Sequence, residues 1–162
     1  MGNQSDPLPV SQVELADRLA IADQLARYSY TADARDLDAF MALFTEDAVW
    51  QNFVPGKSEP DIKLRSRAEI RAFSAALWKE SPGLRSGHHQ SGLLFTELTR
   101  DSARTKNMIL ISHQGPGDQP MRIATFGYYE TEWRKTPDGW LIASRTYYGG
   151  HRTPASYNEV SA

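Results

Sequence analysis

The strand-forming half of the chain opens at residues 84–95, Leu-Arg-Ser-Gly-His-His-Gln-Ser-Gly-Leu-Leu-Phe. Side chains alternate between the two faces of a strand, so His88 and Gln90 share one face. His89 then lies on the opposite face. An imidazole titrates near neutral pH, so a histidine takes or gives a proton under working conditions. The stretch therefore predicts the start of a sheet and a candidate proton-transfer residue.

Helical patterns precede this stretch and strand patterns follow it. Ser11 and Ser66 each have a glutamate three residues later, the spacing of a capping box at a helix start. Apolar residues at helical spacing predict helices at residues 11–32, 37–44 and 66–81. Residues 45–47 are expected to form a turn and residues 55–60 a loop. Alternating residues predict strands at 48–53, 88–98, 103–113, 121–134 and 140–148.

This order of elements predicts an α+β fold. Its N-terminal helices pack on one face of a curved, mainly antiparallel sheet. Such a sheet, curled over the helices, forms a cone with an interior pocket that suits a small ligand. Residues 11–150 are expected to form one domain, with a flexible N-terminal tail at residues 1–10 and a C-terminal tail at residues 151–162.

Composition excludes several classes of function. The chain has 162 residues, a net charge of −2 and no cysteine. The charge gives no basic field for nucleic acid or a membrane surface, so neither is an expected partner. Without cysteine there are no disulfides, thiol nucleophiles or thiolate metal ligands. The polar start of the chain lacks a signal-peptide pattern, and no later stretch reaches membrane-spanning length. A cytoplasmic enzyme or binding protein is the expectation.

No metal or cofactor is expected either. The chain has four histidines, but none has the spacing of a metal-binding motif such as His-Glu-x-x-His. His88 and His89 point to opposite strand faces, which argues against joint ligation. The chain has no glycine-rich phosphate loop, Rossmann fingerprint or Gly-x-Ser-x-Gly nucleophile elbow. The remaining histidines considered for a metal are His113 and His151.

Several short segments follow one another along the chain: Arg27-Tyr28, Asp33, Arg35-Asp36, residues 43–48, His88, residues 138–142 and Arg145. This ordered series resembles the SnoaL-like branch of the NTF2-like superfamily. The resemblance covers roughly residues 12–148 and implies a cone-shaped α+β barrel with a deep pocket. The branch includes polyketide cyclases, scytalone and bile-acid dehydratases and hexachlorocyclohexane dehydrochlorinase; some members of the wider superfamily only bind or pair with other proteins.

The resemblance implies a catalytic pair. Dehydratase-like members abstract a proton with an Asp–His pair, assisted by a tyrosine five residues before the aspartate. Asp33 and Tyr28 have that spacing here. His88 is the better match to the family's histidine, and His89 is the alternative. An aspartate holds the imidazole in one tautomer and stabilises the imidazolium that forms on proton transfer.

Further residues are candidates for the pocket. A guanidinium at Arg145 could stabilise an enolate or a departing hydroxide, and a surface ion pair is the alternative. Several large aromatic residues could form pocket walls, although most are expected to be core. They are Trp50, Phe53, Trp78, Phe126, Tyr129 and Trp133. The predicted substrate-binding residues are Trp50, Phe53, Tyr129 and His89.

Two hypotheses follow. The first is a cofactor-independent lyase or isomerase acting on a small, apolar, cyclic or aromatic substrate by dehydration, cyclisation or retro-aldol cleavage. The second is a non-catalytic binding protein or accessory subunit. A hydrogen bond between Asp33 and His88 in an enclosed pocket favours the first. An open sheet face rich in large residues predicts association rather than a monomer. The resemblance implies a homotrimer or a homodimer.

Overall fold

The structure, a computed structural model, describes residues 11–150. Two helices, two strands and a third helix lead into four long strands. The predicted tails, residues 1–10 and 151–162, lie outside the described residues. The elements are α1 (Gln12–Ala34), α2 (Leu37–Met41), β1 (Phe44–Phe53), β2 (Ile62–Leu64), α3 (Arg67–Glu80), β3 (Arg85–Leu98), β4 (Ser102–Gln114), β5 (Arg122–Thr136) and β6 (Gly139–Gly149).

Helix α1 is the long element on which the sheet closes. The Ser11 hydroxyl accepts a hydrogen bond from the Glu14 amide at 3.1 Å, which caps the helix start as predicted. The buried face consists of Asp17, Ile21, Leu25, Tyr28 and Ala32, at the three- and four-residue spacing of one helical stripe. The helix ends where Arg35 adopts a left-handed conformation with φ of 55°.

The six strands form one curved sheet in the order β2-β1-β6-β5-β4-β3. Each neighbouring pair is antiparallel except β1 and β6, which run parallel. A parallel pair needs a long connection, and here α3 and several strands lie between the two partners. Gly92 has a φ of 64° where the β3–β4 register shifts, a bulge that bends β3. The α+β fold with a mainly antiparallel sheet is confirmed.

The structure corrects the prediction between residues 41 and 64. Helix α2 ends at Met41 rather than at residue 44, and the predicted turn at residues 45–47 belongs to strand β1. The four-residue spacing of Phe40 and Phe44 suggested one helix, but these rings meet edge to face, 5.3 Å apart, across a helix–strand boundary. The short strand β2, which pairs with β1, was not predicted, because three residues carry little alternation.

The main core lies between α1, α2, α3 and the inner sheet face. Its largest fully buried aromatic residues include Trp133 and Phe44, and Ile21 from α1 packs in the same cluster. A smaller cluster of Ile109, Tyr129 and Tyr147 lies further along the sheet. The cavity described below lies beside these two clusters, so its walls rest on tightly packed side chains.

Candidate active site

A cavity of about 430 Å³ lies between the helices and the inner face of the sheet. Its walls are mostly apolar and aromatic, and a few polar side chains interrupt them. This size and lining are typical of small-molecule sites. The polar and aromatic residues of its wall include Tyr28, Arg35, Trp50, Asn52, Phe73, His88, His113 and Tyr129.

Asp33 and His88 meet at the cavity wall. The Oδ1 atom of Asp33 lies 2.5 Å from Nδ1 of His88, and its Oδ2 accepts the His88 backbone N–H at 2.9 Å. One carboxylate therefore fixes both the ring and the strand that carries it. Because Nδ1 is engaged, Nε2 is the ring nitrogen that remains for a ligand. The His88 side chain lines the cavity and keeps 18% of its surface exposed.

Arg35 holds the α3–β3 connection beside this pair. Its guanidinium donates to the carbonyl oxygens of Trp78 at 2.9 Å, Ser81 at 2.8 Å and Leu84 at 2.7 Å. These carbonyls belong to the end of α3 and the loop into β3, where carbonyls otherwise lack helical partners. The left-handed turn at Arg35 thus links the end of α1, which carries Asp33, to the start of the strand that carries His88.

Two buried tyrosines lie next to the pair. The ring of Tyr28 meets the ring of His88 edge to face at 6.3 Å and the ring of Tyr129 at 6.0 Å. Burial raises the pKa of Tyr129 well above its usual value, the nearby Tyr28 acts in the same direction, and the positive charge of Arg145 opposes them. The Tyr129 hydroxyl is therefore neutral, and it shares a hydrogen bond with Tyr28.

Arg145 does not line this cavity, which corrects its predicted place in direct contact with a ligand. The residue is fully buried, and its guanidinium packs 4.2 Å from the ring centre of Tyr28 and 3.8 Å from that of Tyr129. It donates to Thr131 Oγ1 at 2.7 Å and to Gln90 Oε1 at 2.5 Å. Because the two rings stand between the charge and the cavity, Arg145 acts on a ligand only through them.

Strand alternation separates the other predicted binding residues. Trp50 lines the cavity and stacks on Phe73 with 6.1 Å between ring centres. Phe53, three positions later, falls on the outer face and stacks on Tyr148 at 5.4 Å. His89 also lies on the outer face, where its Nε2 is 3.0 Å from Ser112 Oγ. The predictions for Phe53 and His89 were inconsistent with the two-residue period of their own strands.

His113 and Asn52 are among the cavity residues that the sequence patterns did not predict as ligand contacts. His113, considered only as a metal ligand, lies on β4 and lines the cavity. Burial lowers the pKa of His113, and the charges of Arg122 and His88 act in the same direction, which favours a neutral imidazole. Asn52 on β1 is the second residue. Strand alternation was the signal that could have found it, because Asn52 shares a strand face with Trp50.

The described part of the chain offers no obvious metal centre. Within residues 11–150, no three or more His, Cys, Asp or Glu side chains come together as a metal site would require. His151, one of the four histidines weighed for this role, lies outside the described residues. Among the helices of the same range, none is both long and apolar enough to cross a membrane.

The chain belongs to the SnoaL-like domain family, whose model matches residues 13–146. No curated protein matches the chain by sequence. This assignment confirms the resemblance drawn from the ordered motifs. It places the chain in a fold related to dehydratases and cyclases.

Solved structures share the fold at low sequence identity. The β subunit of a candidate aromatic-ring-hydroxylating dioxygenase from Novosphingobium aromaticivorans is 18% identical, with a TM-score of 0.74 over 91% of this chain and 97% of that chain. A candidate scytalone dehydratase from the same organism is 19% identical, with a TM-score of 0.71 over 89% and 93%. ActVI-ORFA from Streptomyces coelicolor is 16% identical, with a TM-score of 0.70 over 83% and 98%.

Proposed function

We propose that this protein is a cofactor-independent lyase or isomerase that abstracts a proton from a small, apolar, cyclic or aromatic substrate. The observation that carries the proposal is the Asp33–His88 pair at the wall of a largely apolar cavity. A paired imidazole beside a largely apolar pocket has the two properties that a general base needs, a fixed tautomer and a free nitrogen.

In the proposed reaction, Nε2 of His88 takes a proton from a carbon next to a substrate carbonyl. Asp33 stabilises the imidazolium that forms. The electron pair of the broken C–H bond moves into the carbonyl, and the hydroxyl of Tyr28, which shares a hydrogen bond with Tyr129, donates to the developing oxyanion. In a dehydration, the enolate expels a β-hydroxyl group, which leaves as water with the proton that His88 took up. In a cyclisation, the enolate carbon attacks a second carbonyl of the substrate and the resulting alkoxide takes that proton. In an isomerisation, His88 returns the proton to a different carbon.

The alternative is a non-catalytic binding protein or accessory subunit. Its support is the likeness to a dioxygenase β subunit in fold. Fold alone does not assign activity, so the site must decide. A subunit without catalysis has no need for a base whose free nitrogen borders a largely apolar cavity, and this favours the enzyme.

Proton abstraction can be tested before the natural substrate is known. The assay follows deuterium incorporation at the acidic carbon of 2-tetralone, a bicyclic ketone, in D2O by proton NMR. The wild type should accelerate exchange, and His88→Ala and Asp33→Asn should both remove most of the acceleration. The matched control is His89→Ala, whose ring lies on the outer sheet face. Treatment with EDTA should leave the rate unchanged.

Two results would count against the proposal. If the wild type and both dyad variants exchanged deuterium at the same rate, Asp33 and His88 would not take part in proton abstraction. Loss of exchange in EDTA, restored by zinc, would replace the proton-transfer scheme by a metal-dependent one.

We further propose that the protein assembles as a homotrimer or homodimer through the outer sheet face. Large apolar residues stay exposed on β4 and β5, including Met108 (47%), Ile123 (66%) and Phe126 (51%). Exposed apolar area of this kind favours association. Multi-angle light scattering at micromolar concentration should give twice or three times the 18.2 kDa chain mass. A single-chain mass would contradict both assemblies.

A further inference from the structure

One residue of the cavity wall carries a buried polar atom that has no partner within the protein. Among residues 11–150, the buried side-chain polar atoms without a hydrogen bond are Gln24 Oε1, Asn52 Oδ1, Asn107 Oδ1 and Arg145 Nε. Of these four residues, only Asn52 lines the cavity. Asn52 is therefore the place where an unpaired buried group and the space for a ligand coincide.

A buried amide oxygen without a hydrogen bond costs free energy unless a donor from a ligand or a water molecule pairs with it. Asn52 lies on β1 beside Tyr147 of β6 and Ile62 of β2 in the strand register. The Tyr147 hydroxyl is already engaged with Thr125 Oγ1 at 2.9 Å, and Ile62 has no polar side-chain atom. The neighbouring strands thus leave the oxygen unpaired, and a turn of the amide about its Cβ–Cγ bond would exchange the oxygen with the NH2 group.

The chemistry of the amide narrows the class of occupant. A carboxamide presents an acceptor oxygen and a donor NH2, and it can turn to present either one. A hydroxyl group both donates and accepts, so it satisfies the amide in either orientation. A carbonyl only accepts and an ammonium only donates. A hydroxyl is accordingly the substituent that suits this position best.

The position of Asn52 relative to the dyad adds a geometric requirement. Strands β6, β5 and β4 separate β1, which carries Asn52, from β3, which carries His88. The sheet curls so that both residues line one cavity. A ligand that touches both must carry its hydroxyl on the side away from the reacting carbon. Trp50 and Phe73, stacked on the cavity wall, offer an aromatic surface for the ring between them.

We infer that Asn52 determines specificity by binding a hydroxyl group on the ring of the substrate, remote from the carbon that His88 deprotonates. This inference rests on the proposed function for the identity of the reacting carbon. The hydroxyl contact itself is a binding property and is tested by binding alone.

The experiment compares two nearly isosteric probes, 2-naphthol and 2-methylnaphthalene, which differ by a hydroxyl and a methyl group. Their Kd values are measured by quenching of tryptophan fluorescence, since Trp50 and Trp78 line the cavity. For each protein, the Kd of 2-methylnaphthalene is divided by the Kd of 2-naphthol. These ratios are then compared between proteins, because the different hydration of the two probes contributes equally to every ratio. Asn52→Val and Asn52→Thr form the matched pair, because they have the same shape and only threonine keeps a hydroxyl.

Asn52→Val should reduce the relative preference for 2-naphthol about tenfold, the effect of one hydrogen bond, while Asn52→Thr keeps part of it. The thermal midpoint of Asn52→Val should not fall, because the substitution removes an unpaired polar group. Three results would overturn the inference. The Kd ratio could be the same in the wild type and Asn52→Val, it could be the same in the two variants, or neither probe could bind to the wild type.

A second comparison separates this inference from the proposed function. His88→Ala should abolish deuterium exchange and leave the ratio of the two Kd values near that of the wild type. If the dyad variants retain full exchange but Asn52→Val still loses the preference, the proposed function fails and the hydroxyl site stands. If deuterium exchange depends on the dyad but the ratio of the two Kd values is unchanged in Asn52→Val, the hydroxyl site is contradicted and the proposed function is supported.

Discussion

His88 and Gln90 lie two residues apart on the inner face of β3, and both reach helix α1. The amide of Gln90 is fully engaged. Its oxygen accepts from Arg145 at 2.5 Å and Asn107 at 3.0 Å, and its nitrogen donates to the Leu25 carbonyl at 3.1 Å and the Ser29 hydroxyl at 2.8 Å. His88 instead uses one ring nitrogen for Asp33 and borders the cavity with the rest of its ring.

The contrast separates a structural polar group from a reactive one. A buried group with every hydrogen bond made is held in a single state, and breaking any of those bonds is costly. A group with one fixed partner and one free atom keeps its orientation while its free atom changes protonation state. Substitutions at the two positions should therefore affect different properties of the protein.

The largest effect is expected on catalysis at the dyad. His88→Ala should lower the rate of proton abstraction by about 10²–10⁴-fold, the usual contribution of a positioned base. Asp33→Asn should lose much of that rate, because an amide does not stabilise imidazolium and favours the other tautomer. The double variant should be barely slower than His88→Ala alone, since the two residues act as one unit. Deuterium exchange measured on all four proteins tests this.

Additive losses would contradict the proposed unit. If the double variant lost the product of the two single effects, Asp33 and His88 would act on separate steps. Circular dichroism spectra of the variants serve as the control, since each should retain the wild-type secondary structure.

The next largest effect is expected on stability at Gln90. Gln90→Leu removes the acceptor of Nη2 on the buried guanidinium of Arg145 and one of the two acceptors of the Asn107 amide. An unpaired buried donor costs about 1–3 kcal/mol and a charged one costs more, so the free energy of unfolding should fall by about 3 kcal/mol. Urea denaturation measures this. His88→Leu is the matched substitution and should cost clearly less, because its ring borders open space. Equal losses at both positions would contradict the distinction.

This comparison also shows what the sequence could and could not predict. The capping serines, the helical stripe of α1 and the alternation of the last four strands are local patterns, and each predicted its element. The pairing of His88 with Asp33, which the structure places in contact, came from a resemblance to a family. No local pattern brings residues 55 positions apart together.

The buried position of Arg145 could not be predicted from local sequence patterns. An arginine among polar residues on a strand suggests either a ligand contact or a surface ion pair, and the structure gives neither. Its burial depends on side chains from three different elements, Tyr28, Tyr129, Thr131 and Gln90. Asn52 is the opposite case, because strand alternation alone places it on the same strand face as Trp50. The same alternation places Phe53 on the other face. That information was present in the sequence.

A smaller effect is expected in the pH dependence of stability. The pKa of His113 is lowered below its usual value of 6.5, chiefly by burial. The unfolded chain therefore binds a proton more readily than the folded one, and stability should fall as pH drops from about 6.5 toward the lowered pKa. Thermal unfolding of the wild type and His113→Gln, measured from about pH 5 to about pH 7 across the imidazole titration range, tests this. The variant should lose less stability on acidification; identical pH profiles would contradict the assignment.

The smallest effect is expected at His89, the neighbour that strand alternation turns away from the cavity. Its ring contacts Ser112 Oγ at 3.0 Å on the outer face, so His89→Ala removes one hydrogen bond of about 0.5–1.5 kcal/mol and no cavity contact. The rate of deuterium exchange should stay within about twofold of the wild type, as is usual when no transition-state contact is lost. A loss as large as that of His88→Ala would mean that His89 supplies the base. The side chains of β3 would then have to present the opposite face to α1, and the hydrogen bonds from Asp33 to His88 and from Gln90 to Ser29 would both have to break.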